Sequence, residues 1–353
     1  MIFIKKIILL LILSILIPIN VYASSNSTII MDVESGRILY SNNIHEQKLI
    51  ASITKIMTCV VAIENSNIEE VVTVPEEVLQ MYGTNTYIEA SEKLKIKDLL
   101  YGLMLRSGND AALALSIVVA GSEENFVKLM NQKKEELGMK DTIFNNPHGL
   151  DEDTKNYSTA HDMAILSKYA YKNNIYKEII KTKKYSFKSS NKSYIWYNRM
   201  KLLTNYKYCI GGKNGYTPKA GKTLVSLANK NDMTLTIVSL NDTDIYNNHK
   251  KLYEKYFGKY KKYVVVDKNN FIIDSKNNKK YYIKKSFIYP LTEEEKEKIQ
   301  TVVEIRSKSK DNKSGKISIL LDEKEIGNID IYEQIKKEEK KSFFEKLKQL
   351  FIR

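Results

Sequence analysis

The chain has 353 residues, with 56 Lys+Arg against 42 Asp+Glu for a formal charge of +14, two cysteines, five prolines and 14 glycines. This composition excludes a disulfide scaffold, a collagen-like or Pro-rich architecture and a disordered chain, and the length allows two or three domains. The excess of positive charge points to an anionic environment without naming it.

The elements follow in chain order. Lys5 and Lys6 precede an apolar run over 7–18, then Val21-Tyr22-Ala23 and two serines. A charged start, an apolar stretch and small residues predict a secretory signal over 1–23, and the run is short for an uncleaved membrane anchor. Two apolar runs around Glu34-Ser35-Gly36 predict a hairpin over 28–40. Ile53, Met57, Val60 and Val61 fall at helical spacing over 52–64. Residues 95–140 read as mostly helical, and 158–173 as a helix opened by Ser158 as its N-cap. Strands are predicted at 224–228 and 235–240, with 229–233 as the turn between them. A helix over 244–257 follows, stopped by Gly258. Strands, then helices, then strands again predict an α+β domain over 24–258.

Beyond Lys259 the composition changes. Short apolar runs at 264–266, 271–273, 302–305 and 317–321 between Lys/Asn-rich turns predict a small all-β domain over 259–332. In 333–353, Phe343, Phe344, Leu347, Leu350 and Phe351 share one helical face, flanked by Lys340, Lys341, Lys346 and Lys348. Such an amphipathic helix can lie in an anionic membrane surface or dock on its own protein. The Lys-rich stretch 259–285 lacks an aromatic-basic nucleic-acid motif, so no nucleic acid is expected.

Three short words carry possible chemistry. In Ser52-Ile53-Thr54-Lys55, the i, i+3 spacing places a hydroxyl and an amine on one face of a helix start. Serine is a weak nucleophile until a base takes its proton, and a lysine whose pKa is lowered can be that base. Ser107-Gly108-Asn109 lies between two helices, and Lys213-Asn214-Gly215 is read as lying just before the strand that starts near Leu224. None is specific alone: Ser189/Lys192, Ser307/Lys310, Ser41/Asn43 and 313–315 repeat parts of the pattern. Order and context single out the first set. His45, His148, His161 and His249 share no metal-ligand spacing, and His148 reads as a loop-holding residue. Cys59 and Cys209 each lie four residues from a lysine of the set. A disulfide between them is conceivable in an exported chain, while burial as small apolar side chains is the commoner fate.

The words around these motifs resemble those of the serine D-alanyl-D-alanine carboxypeptidases, the low-molecular-mass penicillin-binding proteins. They are Ser35-Gly36-Arg37, Ala51-Ser52-Ile53-Thr54-Lys55, Arg106-Ser107-Gly108-Asn109-Asp110, Asn146-Pro147-His148-Gly149-Leu150-Asp151, Tyr157-Ser158-Thr159 and Gly215-Tyr216-Thr217. The resemblance covers 28 to about 257. It implies a β-lactamase/transpeptidase-like domain, an antiparallel sheet flanked by helices plus an all-helical lobe. It implies Ser52 as nucleophile toward the terminal D-Ala–D-Ala bond of peptidoglycan stem peptides, Lys55 as base and Ser107 as proton relay. Asn109, Lys213, Asn214, Gly215, Tyr216, Thr217 and Arg199 are the implied substrate-binding residues, with the amides of Ser52 and Tyr216 as an oxyanion hole. It further implies β-lactams as covalent inhibitors, no metal or cofactor, and action at the extracytoplasmic face of a bacterial membrane or cell wall.

The chain also departs from the family's pattern. Asn214 stands where a Thr or Ser hydroxyl is expected, Asn241-Asp242 where a further basic residue is common, and Ile50 where proline is frequent. Asn214 leaves open a penicillin-binding scaffold with weak turnover. A β-lactamase is a third reading, but it needs a dedicated deacylating carboxylate, and no loop between 109 and 213 announces one.

Overall fold

The apolar runs at the two ends of the first domain pair with each other. Ser27–Asp32 lies antiparallel to Met233–Leu240, with Ser27 opposite Leu240 and Asp32 opposite Leu235. The computed structural model describes residues 26–274, 280–306 and 313–334, in two units divided between Glu254 and Lys255. The expected signal segment and C-terminal amphipathic helix lie outside the described residues. No helix among those described is long and apolar enough to cross a membrane.

The first unit is built on a five-stranded sheet in the order Ile38–Asn42, Ser27–Asp32, Met233–Leu240, Gly221–Lys230, Cys209–Thr217. Every neighbouring pair is antiparallel. The strand Ser27–Asp32 is buried along its whole length, because both faces of the sheet are covered. Ile29, Met31, Val225, Leu227, Val238 and Leu240 join the helical lobe on one face. On the other, His249 and Tyr253 of the helix Ile245–Lys259 reach Ser226. The turn between the long strands is two residues, Asn231 and Asp232, both at positive φ (52° and 61°). That is the backbone twist a tight hairpin wants, and Asn and Asp tolerate it best after glycine.

The helical lobe surrounds the helix Lys55–Glu64, in which every residue from Lys55 to Ile63 is buried. The helix Asn109–Ala120 packs on it through Ala111, Ala112, Ala114 and Leu115. Small residues let two helix axes approach, and each fully buried Ile or Met contributes about 1.5–3 kcal/mol.

Three placements differ from the sequence reading, and the two cysteines take the commoner fate expected of them. The helix Ala160–Ala170 is capped by Thr159, whose side chain accepts from the Asp162 amide; Ser158 lies in a short strand opposite Lys48. Gly258 lies inside the helix Ile245–Lys259 and does not stop it. Lys213 sits within the edge strand Cys209–Thr217, itself the first strand of the hairpin rather than a segment just before a strand. Cys59 and Cys209 are free and buried, so both act as small apolar residues.

The second unit is β-rich. Lys261–Val266 pairs with Phe287–Leu291, and a five-stranded sheet runs Ile272–Asp274, Lys280–Ile283, Lys324–Gln334, Lys313–Leu321, Ile299–Ile305. Its core is Val266, Tyr281, Ile283, Ile317, Ile319, Ile329 and Ile331. The strands at 280–283, 287–291 and 324–334 went unread in the sequence.

His249 generates a prediction. It is fully buried, with Nδ1 2.7 Å from Ser226 Oγ and Nε2 3.0 Å from Ser239 Oγ. Burial pushes its pKa down to about 3. Unfolded, it titrates near 6.5. The unfolded chain therefore binds the extra proton first, and stability contributed by this group is lost as pH falls from about 6.5 toward 3, on the order of 1 kcal/mol per pH unit. Urea unfolding of wild type and His249→Gln at pH 7 and pH 5 checks this. The wild type should lose stability on acidification by more than the variant does.

Candidate active site

Ser52 lies in a short 3-10 turn, Ala51–Thr54, that feeds directly into the helix Lys55–Glu64. Ala51 is held at φ 48°, a left-handed conformation that disfavours residues with a Cβ by about 1–3 kcal/mol. The surroundings hold it there. Thr223 Oγ1 donates to Ile50 O at 3.0 Å and Thr54 Oγ1 donates to Ala51 O at 2.8 Å. Gly149, itself at φ 85°, packs its Cα against the Ala51 carbonyl, where a Cβ would collide. Gly215 faces the turn from the edge strand: a Cβ there would stand 2.7 Å from Ser52 N and 2.6 Å from Thr223 Oγ1. Only glycine lets the strand come this close to the Ser52 amide.

Lys55 is fully buried one turn after Ser52. Its Nζ lies 3.1 Å from Ser52 Oγ, 2.8 Å from Asn109 Oδ1 and 2.5 Å from His148 O. Burial first, and the charge of Lys213 second, hold its pKa well below the ordinary lysine value; Asp110 works in the opposite direction. A neutral amine has two N–H groups for Asn109 and His148, and one lone pair left for the Ser52 proton.

Lys213 is buried too, donating to Ser107 Oγ at 3.0 Å and to Asn214 O at 2.7 Å. Burial, then Arg199, lowers its pKa to about 7. Ser107 ends a π-helical turn, Gly102–Arg106, at φ 65°. That twist lets the chain break between two helices, so that Ser107 meets the strand while Asn109 meets Lys55.

The structure thus brings Ser52, Lys55, Ser107, Asn109, Lys213 and Gly215 into one cleft. The other expected residues divide. Asn109, already placed in the cleft, is buried and also donates to Tyr82 O at 2.8 Å, so it is largely occupied in holding Lys55. The hydroxyl of Thr217 donates to Asp151 Oδ2 at 2.5 Å and accepts from Ala220 N, which fixes the end of the strand. Tyr216 is 64% exposed at the rim. Asn214 is half-buried, and its carboxamide makes no hydrogen bond among the described residues. Arg199 is exposed, with its amide donating to Leu105 O at 3.0 Å.

One contributor was missed in the sequence, and another acts through its backbone. The Asp110 carboxylate accepts from Thr86 N, Thr86 Oγ1, Tyr87 N and Ala111 N, tying the loop over the cleft to the start of its own helix. An acid in the first helical turn after Ser107-Gly108-Asn109 was the available signal. His148 positions Lys55 through its carbonyl, not its ring. Its Nδ1 accepts from Leu150 N at 3.1 Å, and burial lowers its pKa so that it is held neutral, in keeping with a loop-holding role.

Comparison with known proteins follows the same lines. A family profile described as D-alanyl-D-alanine carboxypeptidase matches residues 18–244. The D-alanyl-D-alanine carboxypeptidase DacF of Bacillus subtilis is 35% identical over 218 residues, 59% of this chain and 55% of its own length. DacC of Escherichia coli, of the same description, is 35% identical over 226 residues, 60% of this chain and 55% of its own. The chain therefore spans about half the length of the curated relatives it matches. The crystal structure of penicillin-binding protein 5 from Haemophilus influenzae superposes with a TM-score of 0.74 at 26% identity, over 87% of this chain and 96% of that one. DacD of Francisella tularensis, at 22% identity and a TM-score of 0.70, speaks for the fold alone. The antiparallel sheet with its helical lobe is a transpeptidase-like fold, and the chain belongs to the D-alanyl-D-alanine carboxypeptidase family of serine peptidases.

Proposed function

We propose that this protein is a serine D,D-carboxypeptidase that removes the terminal D-alanine from peptidoglycan pentapeptide stems. The observation that carries this reading is a fully buried Lys55 amine 3.1 Å from Ser52 Oγ, with Lys213 and Ser107 joined beside it. Ser52 Oγ attacks the carbonyl carbon between the last two residues, and Lys55 takes its proton. Charge develops on the carbonyl oxygen, and the amides of Ser52 and Tyr216 receive it. The close approach of Gly215 to Ser52 N supports that placement. The C–N bond then breaks. A proton passes through Ser107 to the departing amine, leaving an ester on Ser52. Water, deprotonated by Lys55, hydrolyses the ester and restores the serine. Lys213, with Arg199, receives the substrate's terminal carboxylate, and β-lactams enter as covalent inhibitors at Ser52.

The carboxylates around the cleft argue against a β-lactamase. Asp110 is taken up by backbone and hydroxyl donors, and Asp151 by Thr217. Asp110 is thereby occupied on both oxygens, and Asp151 is engaged at the end of the strand. Asn214 favours the second reading, a penicillin-binding scaffold with weak turnover, since a carboxamide replaces a small hydroxyl next to Lys213. The place of action follows from the substrate: outside the cytoplasm, reached by the signal over 1–23, with the C-terminal amphipathic segment attaching the protein to anionic lipid.

Three outcomes test these readings. Ser52→Ala should abolish D-alanine release and covalent labelling by fluorescent penicillin; release that survives the substitution contradicts the nucleophile assignment.

The pH dependence of kcat/KM should be bell-shaped. Activity needs Lys55 neutral and Lys213 charged, so it rises through the Lys55 pKa and falls as pH passes Lys213 at about 7. Arg199→Gln removes a positive charge that lowers Lys213, so the alkaline limb should move to higher pH. A limb that stays in place, or moves down, argues against this assignment.

Asn214→Thr separates enzyme from scaffold. A rise of about tenfold or more in kcat, worth ~1.4 kcal/mol in the barrier, is expected if the carboxamide slows turnover; an unchanged kcat counts against the scaffold reading.

A further inference from the structure

Asn146 and Asn156 take no part in the reaction as described above, yet both side chains are buried beside it, at 1% and 2% exposure. The residue after Asn156 anchors it. Tyr157 lies opposite Leu49 and exchanges backbone hydrogen bonds with Ile143. Asn156 therefore stands between the segment that enters the Ser52 turn and the loop that carries His148. Its carboxamide uses both ends. The oxygen accepts from Asn145 N at 2.7 Å and Asn146 N at 3.1 Å. Nδ2 donates to Asn146 O at 2.9 Å and to Thr54 Oγ1 at 3.0 Å. Asn146 continues the bracing. Its Oδ1 accepts from His148 N at 3.2 Å and Gly149 N at 2.6 Å, and its Nδ2 donates to Leu150 O at 3.0 Å and Thr154 Oγ1 at 2.8 Å.

Two chains of contact thus leave Asn156, and each ends on one of the two groups that share the proton. The first runs through the Thr54 hydroxyl, which accepts from Asn156 and donates to Ala51 O, into the strained turn that presents Ser52. The second runs through Asn146 into the loop whose His148 carbonyl holds Lys55 Nζ at 2.5 Å. On the Lys55 helix, Thr58 Oγ1 donates to Pro147 O at 2.6 Å and ties that loop down from the other side. A carboxamide suits the position because it offers an acceptor and two donor hydrogens on one short stem. Aspartate would supply no donor for Thr54, and an apolar side chain would leave the two amides unpaired in a buried place. A buried polar network with its members satisfied holds one arrangement.

We propose that Asn156 is a positioning residue for the Ser52–Lys55 pair. Its one carboxamide fixes the turn that presents the hydroxyl and, through Asn146, the carbonyl that orients the amine. It acts on the rate of attack by Ser52 and not on ligand affinity, because its hydrogen bonds all go to the protein. This rests on the reading of Ser52 as nucleophile and Lys55 as its base.

Acylation of the full chain by fluorescent penicillin, followed over a range of concentrations, separates the binding constant from the first-order acylation rate. The rate is taken from the protein that labels to completion, so the amount of folded protein does not enter it. Asn156→Ala should slow acylation by about tenfold to 10²-fold, the range that a misplacement of about 1 Å costs, with the binding constant unchanged. Thr54→Val cuts the same link from its other side and should also slow acylation, while Thr54→Ser, which keeps the hydroxyl, should lose less. In the double variant Asn156→Ala/Thr54→Val the loss should be smaller than the product of the two, since both break one bond. A wild-type acylation rate in Asn156→Ala, a loss confined to the binding constant, or losses that multiply would each overturn the proposal. Where Asn156→Ala does not fold, Thr54→Val decides, and a wild-type rate there overturns it. D-alanine release by the unsubstituted protein is scored separately. Labelling at Ser52 without release rejects the hydrolase reading and leaves the positioning result to stand by itself; no labelling at all overturns both.

Discussion

The site depends on one costly arrangement: a lysine amine taken wholly out of water and pressed against a serine hydroxyl. Alone in water, Lys55 would be an ammonium and could not accept a proton. Burial disfavours that charge, and the neighbouring Lys213 disfavours it further. What keeps the amine in place is a set of neutral acceptors, Asn109 Oδ1 and the His148 carbonyl, which orient it without restoring its charge. Much of the surrounding structure serves this arrangement. The strained Ala51, the close-packed glycines at 149 and 215 and the threonines at 54 and 223 all fix the turn that carries the hydroxyl.

In the proposed mechanism the two lysines play opposite parts under similar burial. Lys55 must be neutral to act as a base. Lys213 must keep its proton to receive an anion, yet burial and Arg199 bring it to about 7. A substrate carboxylate raises it again, so anion binding and correct protonation reinforce each other. In the folded protein both lysines bind protons more weakly than in the unfolded chain. Between about pH 7 and the ordinary lysine range, their contribution to stability therefore rises with pH. The site is accordingly a local loss of stability at neutral pH, offset by the sheet and the helical lobe around it.

Much of this was legible in the sequence because it is written in local spacing. Ser52 and Lys55 are one helical turn apart, the apolar runs within 28–40 and at 235–240 announce strands, and the order of the three motifs points to the cleft. Other features required knowing which segments meet. Nothing local to Arg199 shows that its amide binds the Leu105 carbonyl. The role of His148 lies in its carbonyl, which carries no side-chain signature. The Thr217 hydroxyl is held by Asp151, far earlier in the chain, a pairing that no local word announces. The extent of the strand Cys209–Thr217 was hidden because glycines dilute its apolar pattern; those same glycines allow the strand to approach the nucleophile. In the second unit, only Ile329-Asp330-Ile331 of Lys324–Gln334 alternates apolar and charged residues, too short a run to announce the whole strand.

The most direct test of the central claim is the titration of Lys55 itself, followed by nuclear magnetic resonance of its labelled side chain with Lys55→Arg protein to assign the signal. The account predicts an amine that is already neutral at the pH where D-alanine is released, titrating well below the ordinary lysine value. An ammonium that persists to about pH 10, as in an unperturbed lysine, would contradict it.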